Sequence, residues 1–253
     1  MCLSGRCKVR QDDYLQYLLV IDNVHRRIYD TFRFLEGLHD RFPQLFPVGP
    51  MQLQSYHRLL LHYQTIELVC QYIELLGSYS VACRETGLLY PHRILSISTG
   101  EAVRFYDCVA SLTDDDIRRI FNPRYPLREE EVQDIRDRYT RISNFYAQNR
   151  SLYNAIKHSS RVYPMEIEHT ATPAGEPGWS YIAFQWVHVH QGRRRQHQAR
   201  AHTWDGVAVN LLIRDQEIRT ELFPSGNLSA YRAIIDDCHF IIERILASNA
   251  PEG

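Results

Sequence analysis

Lysine is almost missing from this 253-residue chain, where Lys8 and Lys157 stand against 27 arginines. A large charge of one sign is missing too. With 30 acidic and 29 basic residues the formal net charge is −1, so no whole-molecule attraction to nucleic acid or an anionic membrane is expected, and any anion site must be local. There is no uninterrupted apolar run of roughly 18 residues, which argues against a membrane-spanning helix. Residues 1–10 contain no apolar stretch of the roughly 7 to 15 residues that a signal peptide needs. The six cysteines (Cys2, Cys7, Cys70, Cys83, Cys108 and Cys238) include no C-x-x-C pair. That scatter fits reduced thiols in a reducing compartment, and a cytoplasmic location is expected. No G-x-x-x-x-G-K-[ST], G-x-G-x-x-G, G-x-S-x-G or H-E-x-x-H occurs, which argues against an ATPase, a nicotinamide enzyme, an α/β-hydrolase and a zincin. No cofactor is expected.

What is present is the composition of a globular chain. With 44% hydrophobic and 23% charged residues, it is neither a disordered tail nor a small disulfide scaffold. From about Asp12 to His39, Tyr14, Leu18, Ile21, Ile28, Phe32 and Leu35 recur at helical spacing, with Asp22 and Arg26 four apart on the wet side. Phe42 to Pro50 reads as a loop, with Pro50 opening a long second helix through Tyr56, Leu59, Leu60, Tyr63, Ile66, Val69, Tyr72, Ile73 and Leu76. Its apolar arc is wide enough for more than one neighbour. Gly87 to Ser98 reads as irregular, Thr99 to Leu112 as a shorter helix, and Thr113 with Asp116 as the N-cap of a helix over Asp114 to Phe121. The longest pattern follows Pro126. Val132, Tyr139, Tyr146 and Tyr153 repeat every seven residues, as do Ile135, Ile142, Asn149 and Ile156, a coiled-coil-like seam on a helix from about Leu127 to His158, roughly 48 Å long.

The period then changes to two. Val162 to Glu168, Trp179 to Gln191, Ala201 to Trp204, Val207 to Ile213 and Glu217 to Leu222 read as strands. Leu228, Tyr231, Ile234, Ile235, Cys238, Ile241, Ile242 and Ile245 then define a last helix, with Ser225 or Asn227 as its cap. The expected fold is mainly α: a bundle of long antiparallel helices with an inserted antiparallel β-meander and a C-terminal helix, α+β overall. The expected domains are a helical bundle over 1–160, the β insertion over 161–225 and the C-terminal helix over 226–253, packing back on the bundle.

The stretch richest in chemistry ends the long helix. With Arg150 at zero on a wheel of about 100° per residue, Asn154 falls near about 40°, Lys157 near about −20° and His158 near about 80°. A cation, an amide and an imidazole on one face can hold a phosphate, and His158 is able to exchange protons near neutral pH. The same residue types also cap helix C-termini and join buried hydrogen-bond networks, and Asn149 in the seam can simply fix register.

Tyr153-Asn154-Ala155-Ile156-Lys157-His158, before a strand-forming Arg161-Val162-Tyr163-Pro164, resembles the Tyr-Asn-x-x-Lys-His stretch of a family of bacterial helical proteins. These are distantly similar to the HEPN (higher eukaryote and prokaryote nucleotide-binding) superfamily. The resemblance implies a four- or five-helix bundle, often dimeric, that is either a binding module or a metal-independent ribonuclease of toxin or defence type. It further implies that Arg150 and Ser151 open the superfamily's Arg-polar-His pattern and His158 closes it. Seven residues intervene here where the pattern has four to six, which turns His158 about 100° away. In the active reading His158 is the general acid or base for attack of a ribose 2′-OH on the adjacent phosphate, Arg150 and Lys157 stabilise the phosphorane, and Asn154 substitutes for part of the pattern.

Two further clusters complete the sequence. Gly192 to Arg200 carries Arg193, Arg194 and Arg195 at an expected hairpin tip without an acidic residue, a candidate contact for a nucleic-acid backbone. Trp186, His188 and His190 alternate onto one strand face, with Arg200, His202 and Trp204 nearby, and these histidines with Glu166 or Glu168 form a candidate metal set. The expected function is a binding or interaction module, with a homodimer and RNA or a nucleotide as partners and no membrane. The alternatives are the ribonuclease and, after it, a metal-binding protein using the sheet histidines.

Overall fold

The computed structural model describes residues 11–45, 51–86, 89, 91–121, 126–157, 162–169, 179–189, 211–213, 216–223 and 228–249, in the strands and at some helix positions by backbone alone. Seven α-helices dominate: α1 (Gln11–Leu45), α2 (Met51–Thr86), α3 (Pro91–Ser96), α4 (Thr99–Asp107), α5 (Asp114–Ile120), α6 (Glu129–Lys157) and α7 (Ser229–Asn249). None is long and apolar enough to cross a membrane. The chain divides into two compact units, one of Met1–Phe32, Gln71–Tyr146 and Ala233–Gly253, the other of Arg33–Cys70 and Ala147–Arg232.

The inserted antiparallel β-meander is the part of the expected fold that fails. Every residue with a described side chain lies in a helix or a helix connection, none in a strand. The backbone ladder of β1 (Val162–His169), β2 (Trp179–Val189), β3 (Leu211–Ile213) and β4 (Gln216–Phe223) runs in the order β1-β2-β4-β3. A meander requires β3 between β2 and β4, yet β4 pairs with β2 from Ile182↔Phe223 to Val187↔Ile218 and on to Val189↔Gln216. The three-residue β3 offers too short a ladder to compete for that edge. The expected strand at Ala201 to Trp204 lies outside the described residues. Of Val207 to Ile213 only Leu211–Ile213 is described as strand.

Local chemistry explains the starts of α4 and α5. Ser98 caps α4 and Thr113 caps α5, each in a reciprocal capping box with Glu101 or Asp116, so orphan N–H groups at both starts are satisfied. The expected helix over Thr99 to Leu112 ends sooner, at Asp107, and tightens into a 3-10 turn over Val109–Ser111. The segment Gly87 to Ser98, expected to be irregular, contains α3, whose Arg93 donates to Glu85. Helix α1 continues past His39 to Leu45 despite Pro43, which close to the helix end removes a single backbone donor.

Burial follows the apolar pattern of α2 from Ile66 onward, whereas Leu60 is exposed. On α2, Ile66, Val69, Cys70, Tyr72, Ile73, Leu76, Tyr79, Ala82 and Cys83 are all buried, on more than one side of the helix. In the first unit α2 meets α4 without a side-chain spacer. A Cβ on Gly77 would stand 2.8 Å from the Ala102 carbonyl oxygen and 2.9 Å from the Tyr106 ring, and the Tyr106 hydroxyl donates to the Ile73 carbonyl at 2.6 Å. All eight positions of the seven-residue repeats on α6 are buried. The upper part of this seam is occupied within the chain: Tyr139 lies 2.6 Å from the Ser80 hydroxyl and edge-on to Phe105, and Tyr146 donates to Glu74.

Candidate functional site

A cluster of imidazoles and carboxylates lies in the first unit, inside the apolar packing of α1, α2 and α7. Its deepest member is His25 on α1, fully buried on the stripe that carries Ile21 and Phe32. One turn earlier on the same helix is Asp22, and on α7 stand His239 and Glu243, four residues apart and therefore on one face. Ligand atoms of His25, His239 and Glu243 all lie within 4.8 Å of one another. The Nε2 of His25 is 2.9 Å from Glu243 Oε1 and 3.5 Å from Asp22 Oδ1.

The second nitrogen of His25 is tied to the core. With Nε2–H donating to the Glu243 carboxylate, Nδ1 is left to accept from the Tyr72 hydroxyl at 2.8 Å. Tyr72 comes from α2 and is itself buried; its phenol is pushed far above its ordinary pKa by burial first, so it stays protonated. The same hydroxyl is 3.4 Å from His239 Nδ1. The rings of His25 and His239 stack at 5.1 Å, and Tyr29 stacks on His239 at 4.0 Å. Burial, and then the neighbouring His25, lower the pKa of His239, which favours the neutral imidazole that binds metal.

Water reaches the cluster from the carboxylate side. The side chain of His25 is 0% exposed, that of Glu243 41% and that of Arg26 59%. Arg26 pairs with Asp22 at 2.9 Å and approaches Glu243 Oε1 to 3.8 Å, which is the Asp22–Arg26 spacing read on the wet side of α1. Two imidazole nitrogens and one or two carboxylates are the donor set of zinc and other first-row divalent ions. A shift of about an ångström in the side chains would close these atoms to coordination distance.

The residues singled out in the sequence lie elsewhere. Arg150, Asn154 and Lys157 are all exposed on the last turns of α6, with the Lys157 ammonium 4.3 Å over the ring of buried Tyr153. They share a stretch of helix surface. His158, Arg193, Arg194, Arg195, His190 and His202 lie outside the described residues, as do the side chains of Ser151, His188, Glu166 and Glu168. Asn149 is buried at 8% exposure, in the seam and away from that surface.

Sequence reading passed over His25, His239 and Glu243. The available signal was an imidazole interrupting the apolar stripe of α1 and a His-x-x-x-Glu pair among the isoleucines of α7. Each signal alone is as common in structural networks as in metal sites. A scan against protein-family models and searches of curated proteins and of solved structures found no match for the chain.

Proposed function

We propose that the protein is a helical binding module whose ligand is a divalent transition-metal ion, held by His25, His239 and Glu243. The single observation that carries this reading is the convergence of three donor groups from two helices within 4.8 Å, with the deepest donor fully buried and the carboxylate side open to water. A mixed nitrogen and oxygen set favours zinc, cobalt, nickel or iron over magnesium and calcium, which prefer oxygen alone. Three protein ligands leave a coordination position for water or an exogenous ligand. Titration of the metal-stripped full chain with Zn2+ tests it. One ion per chain is expected, with affinity reduced about tenfold or more in His239→Ala; absence of stoichiometric binding overturns the reading.

A second reading is favoured by the exposure of Arg150, Asn154 and Lys157 on one stretch of α6. In it the chain is HEPN-like and contacts RNA phosphates through this face, with His158 as the acid or base and Arg193 to Arg195 as a separate candidate contact. Its active form is a metal-independent ribonuclease and its assembled form a homodimer. RNA incubated with the protein in chelator decides it: cleavage abolished by His158→Ala supports the enzyme, and cleavage unchanged by that substitution removes it. Sedimentation equilibrium measures the dimer.

A further inference from the structure

Arg26 occupies the place where a cation would be welcomed. Its guanidinium Nε makes contacts of 2.9 Å to both Asp22 carboxylate oxygens, and Nη2 stands 3.8 Å from Glu243 Oε1. Those two carboxylates are the ones that face His25 Nε2, at 3.5 Å and 2.9 Å. A positive side chain already neutralises the acidic half of the metal cluster.

That side chain is also the most exposed member of the group, at 59%, against 28% for Asp22 and 41% for Glu243. A long, flexible, water-exposed arginine leaves its partner at little cost, because an exposed ion pair exchanges readily with water. Asp22, three residues before His25, sits one helical turn from it with Oδ1 3.5 Å from Nε2. Resting on the metal-binding reading, we infer that Arg26 is a built-in competitor for the site. The incoming divalent ion displaces its guanidinium, and the released Asp22 becomes the fourth protein ligand beside His25, His239 and Glu243.

The exchange balances in charge. Two carboxylates and two neutral imidazoles around a divalent ion form a neutral unit, whereas the same groups around Arg26 alone keep one negative charge. Arginine retained beside the bound ion would add repulsion between a single and a double positive charge a few ångströms apart. Its departure to water removes that repulsion. The affinity of the site is thus held down by a residue that is not itself a ligand.

Zn2+ titration of the full-length chain, metal-stripped beforehand, compares wild type, Arg26→Gln, Asp22→Asn and the double variant, each checked for an unchanged helical spectrum. Arg26→Gln is expected to bind about threefold to tenfold more tightly, and Asp22→Asn about tenfold more weakly. In the double variant the gain from Arg26→Gln should largely vanish, since it acts through Asp22. Co2+ absorption supplies a readout independent of affinity, with a change in the ligand-field bands of Asp22→Asn. Wild-type binding that Arg26→Gln leaves unchanged or weakens overturns the competitor while leaving the metal site intact. Binding in neither protein overturns both.

Discussion

The hydroxyl of Tyr72 lies 2.8 Å from Nδ1 of His25, on the side of the ring opposite the Glu243 carboxylate. A phenol both donates and accepts, so this one partner serves either neutral tautomer of the imidazole. When Nε2 carries the proton and donates to Glu243, Tyr72 donates to Nδ1. Were Nε2 to coordinate a metal, the proton would sit on Nδ1 and the Tyr72 hydroxyl would accept a hydrogen bond from it. Helix α2 therefore supplies a partner that orients the imidazole carried by α1.

Replacing Tyr72 with Phe removes that partner while keeping the ring in the core. Outer partners of ligating histidines typically hold about 10- to 100-fold in metal affinity, and a loss near the lower end is expected because the ring packing survives. Calorimetric Zn2+ titration measures it. A Tyr72→Phe protein binding as tightly as wild type would show that packing alone fixes the His25 ring.

Gly77 is where α2 and α4 come closest, with the Ala102 carbonyl oxygen 2.8 Å and the Tyr106 ring 2.9 Å from a hypothetical Cβ. An alanine is normally the better helix former by about 1 kcal/mol. Here the methyl group meets backbone that cannot rotate away, and overpacking of this kind costs roughly 1–3 kcal/mol. Gly77→Ala should consequently lower the urea midpoint, against the direction that propensity alone gives. An unchanged or higher midpoint would mean that the two helices separate freely.

Much of the helical part was legible in the sequence because its patterns are long. The two heptad rows on α6 end in eight buried residues, and the Thr113 and Asp116 pair forms the expected capping box. Patterning failed where segments are short. Six residues, Pro91–Ser96, are too few to display a period, and a three-residue β3 gives no register to infer, so strand order depended on which ladder is longest. The cluster around His25 was hidden for another reason. Its donors stand 218 positions apart in the chain at His25 and Glu243, and only the packing of α1 against α7 joins them. Arg150, Asn154 and Lys157 were found because a single helix aligns them.

Glu131 gives the first unit an acid-sensitive point. Its carboxyl is drawn down from the ordinary 4.5 to about 2, foremost by the Arg128 backbone N–H, then by the Arg128 side chain and by Arg244. A carboxylate whose pKa is depressed in the folded state stabilises that state at pH values above the unfolded pKa. The contribution fades as pH falls from about 4.5 toward about 2. Glu131→Gln should therefore melt below wild type at pH 7, with the gap closing across that window. A gap of constant size from pH 7 to pH 2 would assign the effect to hydrogen-bond geometry and not to charge.

Asp237 on α7 is the buried acceptor for two arginines of α6, with Arg138 Nη1 at 2.7 Å, Arg141 Nε at 2.8 Å and Arg141 Nη2 at 2.9 Å. The acid is 6% exposed, Arg138 23% and Arg141 51%. Removing the charge of the buried partner leaves Arg138 short of a counter-ion, with its guanidinium over the Phe240 ring at 4.0 Å and its Nε still on Asp134. Asp237→Asn is expected to cost about 1–3 kcal/mol, the range for hydrogen bonds to charged groups and their desolvation. Arg141→Met should cost about 1 kcal/mol or less, since a half-exposed arginine is returned largely to water. Equal losses for the two variants in urea unfolding would place the energy in the exposed pair and leave the burial of Asp237 without consequence.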